Sequence, residues 1–192
     1  MSSSLNIGIA GLGTVGSGVV DLLANNTDHI NKRTGKFLKL TAISAKDKSK
    51  KRNMNINNFD WFDNPCDLAA SKDIDVFVEL IGGSDGIAKE SVEIALKSGK
   101  HVVTANKALI ANHGFELSKI AESNSIMLNF EASVAGGIPI IKLLKESLAA
   151  NKINKIYGIL NGTCNFILTQ MEKTGKPFDE VLIEAQKLGY AE

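Results

Sequence analysis

Gly11, Gly13 and Gly16 stand in the run Gly11-Leu12-Gly13-Thr14-Val15-Gly16, directly after an apolar segment and directly before a helical pattern. Three glycines at this spacing meet three needs: Gly11 a tight turn, Gly13 the approach of backbone to a pyrophosphate, Gly16 close packing of helix on strand. Leu12, Thr14 and Val15 share the turn, so its free amides and the positive end of the helix face phosphate oxygens. The spacing alone is weak; the strand before it and the helix after it make it a dinucleotide-binding turn. An acid about 20 residues further on, at the end of the second strand, would take the ribose hydroxyls of NAD. Here that strand ends at Ile43-Ser44-Ala45 and runs into Lys46-Asp47-Lys48-Ser49-Lys50-Lys51-Arg52. A carboxylate repels a 2′-phosphate, whereas a hydroxyl and a lysine bind one, so Ser44 and Lys46 favour NADP. Asp47 leaves NAD open, and a solvated loop is an equally ordinary fate for such a run.

Other residues suit the chemistry that a nicotinamide serves. Hydride transfer to a carbonyl leaves an alkoxide that needs a proton from a donor within about 3 Å. Lys107 is placed for this, after the fourth strand and near a helix start, at the strand ends where open α/β sheets hold ligands. A solvated first-turn lysine is the alternative. Glu131 opens a loop of small residues and suits either a substrate ammonium or a hard cation. Cys164, after Asn161-Gly162-Thr163, suits a rival chemistry, that of an acylating thiol in a phosphorylating semialdehyde dehydrogenase. That thiol needs a histidine, and none follows His113. His29, His101 and His113 lack metal-ligand spacing, and Trp61 with Phe59 and Phe62 reads as local packing.

Strands and helices in alternation must position these groups. The pattern predicts strands at Leu5–Ala10, Leu38–Ala45, Asp75–Ile81, His101–Thr104 and Ile126–Phe130. Between them lie a helix carrying Val19, Val20, Leu22 and Leu23, a helix over Ala88–Ser98 capped by Gly99, and a helix over Gly114–Asn124. An insertion around Thr34-Gly35-Lys36 delays the second strand. This alternation implies an α/β, Rossmann-type doubly wound parallel sheet over residues 1–130. After Phe130 the rhythm changes: a small-residue loop, a helix from Pro139 to Ala150, a strand Lys155–Leu160, then helices Cys164–Lys173 and Phe178–Leu188 with Gly189 as stop. Residues 131–192 read as the incomplete first part of an α+β substrate and dimerisation domain, and the chain as the amino-terminal portion of a longer protein.

Composition excludes other classes. Lys and Arg number 22 against 21 Asp and Glu, a net charge of +1, so no global field draws the chain to nucleic acid or a membrane surface. The start, Met1-Ser2-Ser3-Ser4, carries no leader pattern, and no apolar run nears the roughly 20 residues of a membrane span. A cytoplasmic protein is expected, and two distant cysteines argue against a disulfide framework.

Five ordered segments make the reading specific: Val78-Glu79-Leu80-Ile81-Gly82-Gly83, His101 to Leu109 (HVVTANKAL), Phe130 to Pro139 (FEASVAGGIP), Gly158 to Asn165 (GILNGTCN) and Leu188-Gly189-Tyr190-Ala191-Glu192. Together they resemble the homoserine dehydrogenase family, bacterial type, over nearly the whole chain. The resemblance implies reversible NAD(P)-dependent interconversion of L-aspartate 4-semialdehyde and L-homoserine, on the route to threonine and methionine. It makes Gly11 to Gly16 the pyrophosphate turn, sets Ala105 and Lys107 beside nicotinamide and substrate, and brings Gly189 close to the cofactor. It gives Glu192 to the substrate and assigns a structural sodium ion to the loop of Glu131, Val134, Gly136 and Ile138, largely through backbone oxygens. It also implies a homodimer formed through the second domain. The family continues past this point with an acidic stretch and a later proton-transfer lysine, so the 192 residues alone are expected to be inactive, a cofactor-binding fragment.

Overall fold

The computed structural model describes residues 4–52, 54–159 and 161–190, and the chain divides into two compact units, Met1–Glu146 and Ser147–Glu192. In the first, strands β1 (Ser4–Ala10), β2 (Phe37–Ser44), β3 (Asp60–Phe62), β4 (Val76–Glu79), β5 (His101–Thr104) and β6 (Leu128–Asn129) form one sheet in the order β3-β2-β1-β4-β5-β6. Every pairing is parallel, so each crossover carries chain across a face and the central strands are apolar on both sides. Helix α1 (Thr14–Thr34) covers one face, where Val20 packs with Ile7, Ile9, Ile43 and Val78. Helices α2 (Pro65–Ala70), α3 (Ile87–Lys97) and α4 (Lys107–Ser123) cover the other, where Leu68, Leu96 and Leu117 surround Phe77.

Each element has a local cause. Helix α3 buries Ala88, Ser91, Val92, Ala95 and Leu96, the spacing of one helical face. Helix α1 runs 21 residues and stops at Gly35, whose left-handed backbone (φ 67°) returns its N–H to Asn31 O, a glycine C-cap with Lys32 and Arg33 in the last turn. The late second strand therefore reflects a long helix, and Thr34-Gly35-Lys36 is its cap rather than an insertion.

Three predicted elements change. Helix α4 begins at Lys107, seven residues before the predicted Gly114, because Asn106 caps it through a bond from Leu109 N to Asn106 Oδ1 (3.0 Å). Gly114 is a mid-helix glycine whose weak propensity imitates a start. The predicted Pro139–Ala150 helix is one α turn, α5 (Ile140–Lys142), continued as a π turn over Leu143–Ser147. The predicted strand at 155–160 is no strand over its described residues, 155–159; Leu160 lies outside them. A strand exists by its ladder, and the described residues of the second unit hold no other strand, only helices α6 (Gly162–Thr174) and α7 (Phe178–Lys187). Residues 131–146, read from sequence as the opening of the second domain, sit in the first unit.

Candidate dinucleotide site

The glycine turn is pinned between the two neighbours of β1. Gly11 N donates to Ser44 O (2.8 Å) and Leu80 N to Ala10 O (2.7 Å). Gly11 adopts φ 99°, and a Cβ there would lie 2.3 Å from Leu80 O; one at Gly16 would lie 1.9 Å from Gly11 O. No side chain fits at either place. At Gly13 nothing lies within 4 Å of a built Cβ, which leaves the backbone open on its outer side. Gly13 is also the N-cap of α1 and supplies no side-chain hydrogen bond, so the first amides of the helix, from Thr14 and Val15 onward, await an external acceptor.

A cleft of about 880 Å³ opens on this turn, walled by Gly11, Leu12 and Gly13, by Leu80 and Ile81 after β4, and by Ser44, Lys46, Asp47, Lys50 and Arg52 after β2. Two polar atoms at its wall are buried without a partner, Ser44 Oγ and Arg52 Nε. Buried polar atoms are normally satisfied, so the orphans, the uncapped helix end and the open Gly13 fit an anionic dinucleotide. Arg52 is braced by its own loop, donating to Asp47 O (2.7 Å) and Lys50 O (3.0 Å). Asp47 Oδ1 accepts from Ser49 N and Ser49 Oγ, and these bonds hold its carboxyl below the usual carboxylate range. Of the residues singled out from sequence, Gly11, Leu12, Gly13, Ser44 and Lys46 thus meet at one cleft. Lys50 and Arg52 were not singled out within their basic run; their regular neighbours gave no signal for which cation turns inward.

Ala105 and Lys107 lie at the end of β5 and the first position of α4, beside a buried polar network. Glu79, at the end of β4, is 0% exposed. Its Oε1 accepts from Ile81 N (2.7 Å), Gly82 N (3.2 Å) and Asn106 Nδ2 (3.5 Å), and its Oε2 from Thr104 Oγ1 (2.5 Å). Asn106 Nδ2 also donates to Gly83 O (2.6 Å). In the sequence Glu79 stands in one of the five motif segments without a role of its own; a carboxylate inside a strand is itself a signal, since Glu is seldom fully buried unpaired.

The Glu131 loop follows β6. The Glu131 carboxylate accepts from Ile141 N and Lys142 N (both 2.8 Å), so it caps α5 and a cation here would be held through main-chain oxygens. Glu131 O already accepts from both Val134 N and Ala135 N, which uses both its lone pairs, whereas Ile138 O accepts from Ile140 N alone and keeps one. Such hard oxygen donors suit a monovalent cation in type. Among the described residues no group of three His, Cys, Asp or Glu could hold a metal. In the second unit, Asn161 Oδ1 accepts from Cys164 N (2.7 Å) at the start of α6, leaving Cys164 exposed. Gly189, with φ 76°, closes α7. Glu192 lies outside the described residues.

A parallel sheet with a glycine turn leading into a helix, at a cleft beside the strand ends, defines the class of dinucleotide-binding α/β proteins. The family model for the NAD-binding domain of homoserine dehydrogenase matches residues 11–131, and that for homoserine dehydrogenase matches residues 139–192. The chain belongs to the homoserine dehydrogenase family. It is 50% identical over 188 residues to the homoserine dehydrogenase of Neisseria gonorrhoeae, covering 98% of this chain and 43% of that protein. The crystal structure of a homoserine dehydrogenase from Thiobacillus denitrificans is similar with 45% identity and a TM-score of 0.87, over 98% of this chain and 43% of that one. A hyperthermophilic archaeal homoserine dehydrogenase in complex with NADPH is similar with 29% identity and a TM-score of 0.78, over 97% of this chain and 62% of that one. The chain spans about 43% of the length of the curated relatives it matches first. No helix among the described residues is long and apolar enough to cross a membrane.

Proposed function

We propose that this chain is the cofactor-binding portion of a cytoplasmic homoserine dehydrogenase that interconverts L-homoserine and L-aspartate 4-semialdehyde, preferring NADP with NAD as the alternative. The observation that carries the reading is the uncapped glycine turn opening on a cleft with two orphaned polar atoms, in a chain of this family. When bound, the nicotinamide supplies or takes up the hydride. The chain's own residues do the rest: Gly11 to Gly16 hold the pyrophosphate, and Ser44, Lys46 and Arg52 face a 2′-phosphate. The NADPH held by the archaeal relative supports the same cofactor. Lys107 orients the substrate and stabilises the charge of a developing alkoxide, Ala105 lies beside it, Gly189 approaches the cofactor and Glu192 holds the substrate ammonium or hydroxyl. Residues 131–192 open the substrate and dimerisation domain of a homodimer, with a sodium ion on the main-chain oxygens of Glu131, Val134, Gly136 and Ile138.

Dinucleotide titrations test the cofactor assignment. NADPH is expected to bind more tightly than NADH, by a margin that shrinks as salt screens the lysines, and Lys46→Asp is expected to weaken NADPH selectively. Equal affinities at low salt would remove the basic loop from the argument. In the native protein, Lys107→Ala is expected to lower kcat by roughly 100-fold or more with little change in NADPH affinity. A variant that keeps nearly full kcat ends the role given to Lys107.

A further inference from the structure

Glu79 is a carboxyl group buried without an ion pair among the described residues, and each of its hydrogen bonds ends on one of the two segments that border the proposed site. On one side, Ile81 N and Gly82 N donate to Oε1, and Ile81 with Leu80 walls the cleft that opens on Gly11 to Gly13. The turn bends at once through Gly82 (φ 88°) and Gly83 (φ 84°), left-handed backbone that glycine adopts freely. On the other side, Thr104 Oγ1 donates to Oε2 and accepts from Asn106 N (3.0 Å). Asn106 then spans both segments, giving Nδ2 to Gly83 O and taking Leu109 N on Oδ1 as the cap of α4, whose first residue is Lys107.

A carboxylate has two oxygens and about four lone-pair sites and donates nothing; Glu79 receives four donors. An amide in its place would either turn its NH₂ on the N–H groups of Ile81 and Gly82 or make the Thr104 hydroxyl, which already accepts from Asn106 N, reverse and accept again. The four-donor pattern in its present sense therefore depends on a carboxylate and is more than a way to fill space. We infer that Glu79 is the positioning residue of this site, one buried carboxylate that fixes the segment 80–83, whose Leu80 and Ile81 wall the dinucleotide cleft, and the Lys107 end of α4 in a single register. This rests on the dinucleotide cleft and the role of Lys107 proposed above. Affinity is expected to depend mainly on the glycine turn, whereas hydride transfer depends on the relative placement that Glu79 sets, and misplacement by about 1 Å can cost 100-fold in rate.

The test is Glu79→Gln in the native protein, with Ser91→Ala as a control, a fully buried hydroxyl on α3 whose bond is to Ala88 O. Steady-state rates, NADPH titration, thermal melts and the primary isotope effect with deuterated NADPH are read together. Glu79→Gln is expected to lower kcat at least roughly tenfold and raise the isotope effect, as the hydride step becomes limiting, while NADPH affinity stays within about threefold. Ser91→Ala is expected to lower the melting temperature and leave kcat and the isotope effect alone. Should Glu79→Gln not fold, Thr104→Val removes one donor with little change in shape and is expected to lower kcat likewise, with Thr104→Ser restoring it. A folded Glu79→Gln with kcat within about twofold of the parent and an unchanged isotope effect overturns the inference and leaves the functional reading standing. So does a Thr104→Val that matches Thr104→Ser. A parent protein that neither binds NADPH nor oxidises homoserine overturns both.

Discussion

The two units differ in how much of their stability lies within themselves. The first buries a two-sided core around Phe77 and Ile9 and ties Gly11 N and Leu80 N to strand carbonyls. The second, taken alone, buries Ile167, Val181 and Ala185 and leaves Tyr157 84% and Ile159 76% exposed. A few dozen residues seldom assemble a sufficient core unaided, and an apolar surface of this kind is ordinarily covered in a working protein. The comparison teaches that the proposed chemistry is divided unevenly: the cleft at the glycine turn is built into a self-supporting sheet, while Gly189, proposed to approach the cofactor, sits on a helix pair with little internal support.

Glycine substitution gives the widest separation. Gly16→Ala would thrust a methyl group to 1.9 Å from Gly11 O, an overlap that only backbone movement relieves. It is expected to cost about 3 kcal/mol or more and to abolish measurable NADPH binding. Gly175→Ala, at the left-handed cap of α6 with open space around it (φ 70°), is expected to cost roughly 1 kcal/mol and leave NADPH binding intact. Urea unfolding with parallel NADPH titration checks the pair; equal losses would mean that the crowding at the turn is relaxed in solution.

Core truncation probes the same contrast. Phe77→Ala is expected to cost about 3–5 kcal/mol and to raise amide exchange throughout the sheet. Val181→Ala removes two buried methyl groups, roughly 2 kcal/mol, and is expected to speed exchange in α6 and α7 while β1 and β4 keep their protection. Equal acceleration in β1 and β4 would show that the units unfold as one and would break the comparison.

What the sequence made legible follows the same division. The order of β1, α1, β2, β4, α3 and β5, and the gathering of Gly11, Gly13, Ser44 and Lys46 at one cleft, were readable because periodicity and glycine chemistry act locally. The start of α4 was misread where Gly114 outweighed Asn106, although an Asn cap is also a local signal. The strand expected at 155–160 fails over its described residues for a different reason, since the apolar residues Ile156, Tyr157 and Ile159 are local whereas a strand needs a neighbour. Short β3 was missed because Trp61 and Phe62 read equally well as loop packing, and its register against Ile43 and Ser44 is a tertiary fact. The arrangement around Glu79 joins residues 79, 104 and 106 through space, and spacing along the chain could not have shown it.

The smallest effect concerns the loop between β4 and α3. Asp85 accepts from Ser84 Oγ (2.5 Å) and pairs through Oδ1 with His113 Nε2 on α4 (2.8 Å), while Glu116 lies 3.9 Å from His113 Nδ1. The hydrogen bond from Ser84, then that from His113, holds the Asp85 carboxyl below its ordinary range. A carboxyl whose folded value is depressed stabilises the fold above its unfolded value, about pH 4, and loses that contribution as pH falls through the lower folded value. Wild type is therefore expected to melt slightly above Asp85→Asn at neutral pH, with the gap closing below about pH 4. The group is exposed, so salt should narrow the gap as well. Melts across this range check the sign: a gap that widens in acid would mean that His113 and Ser84 do not favour the charged form, and a gap unchanged by pH or salt would make Asp85 a matter of loop shape alone.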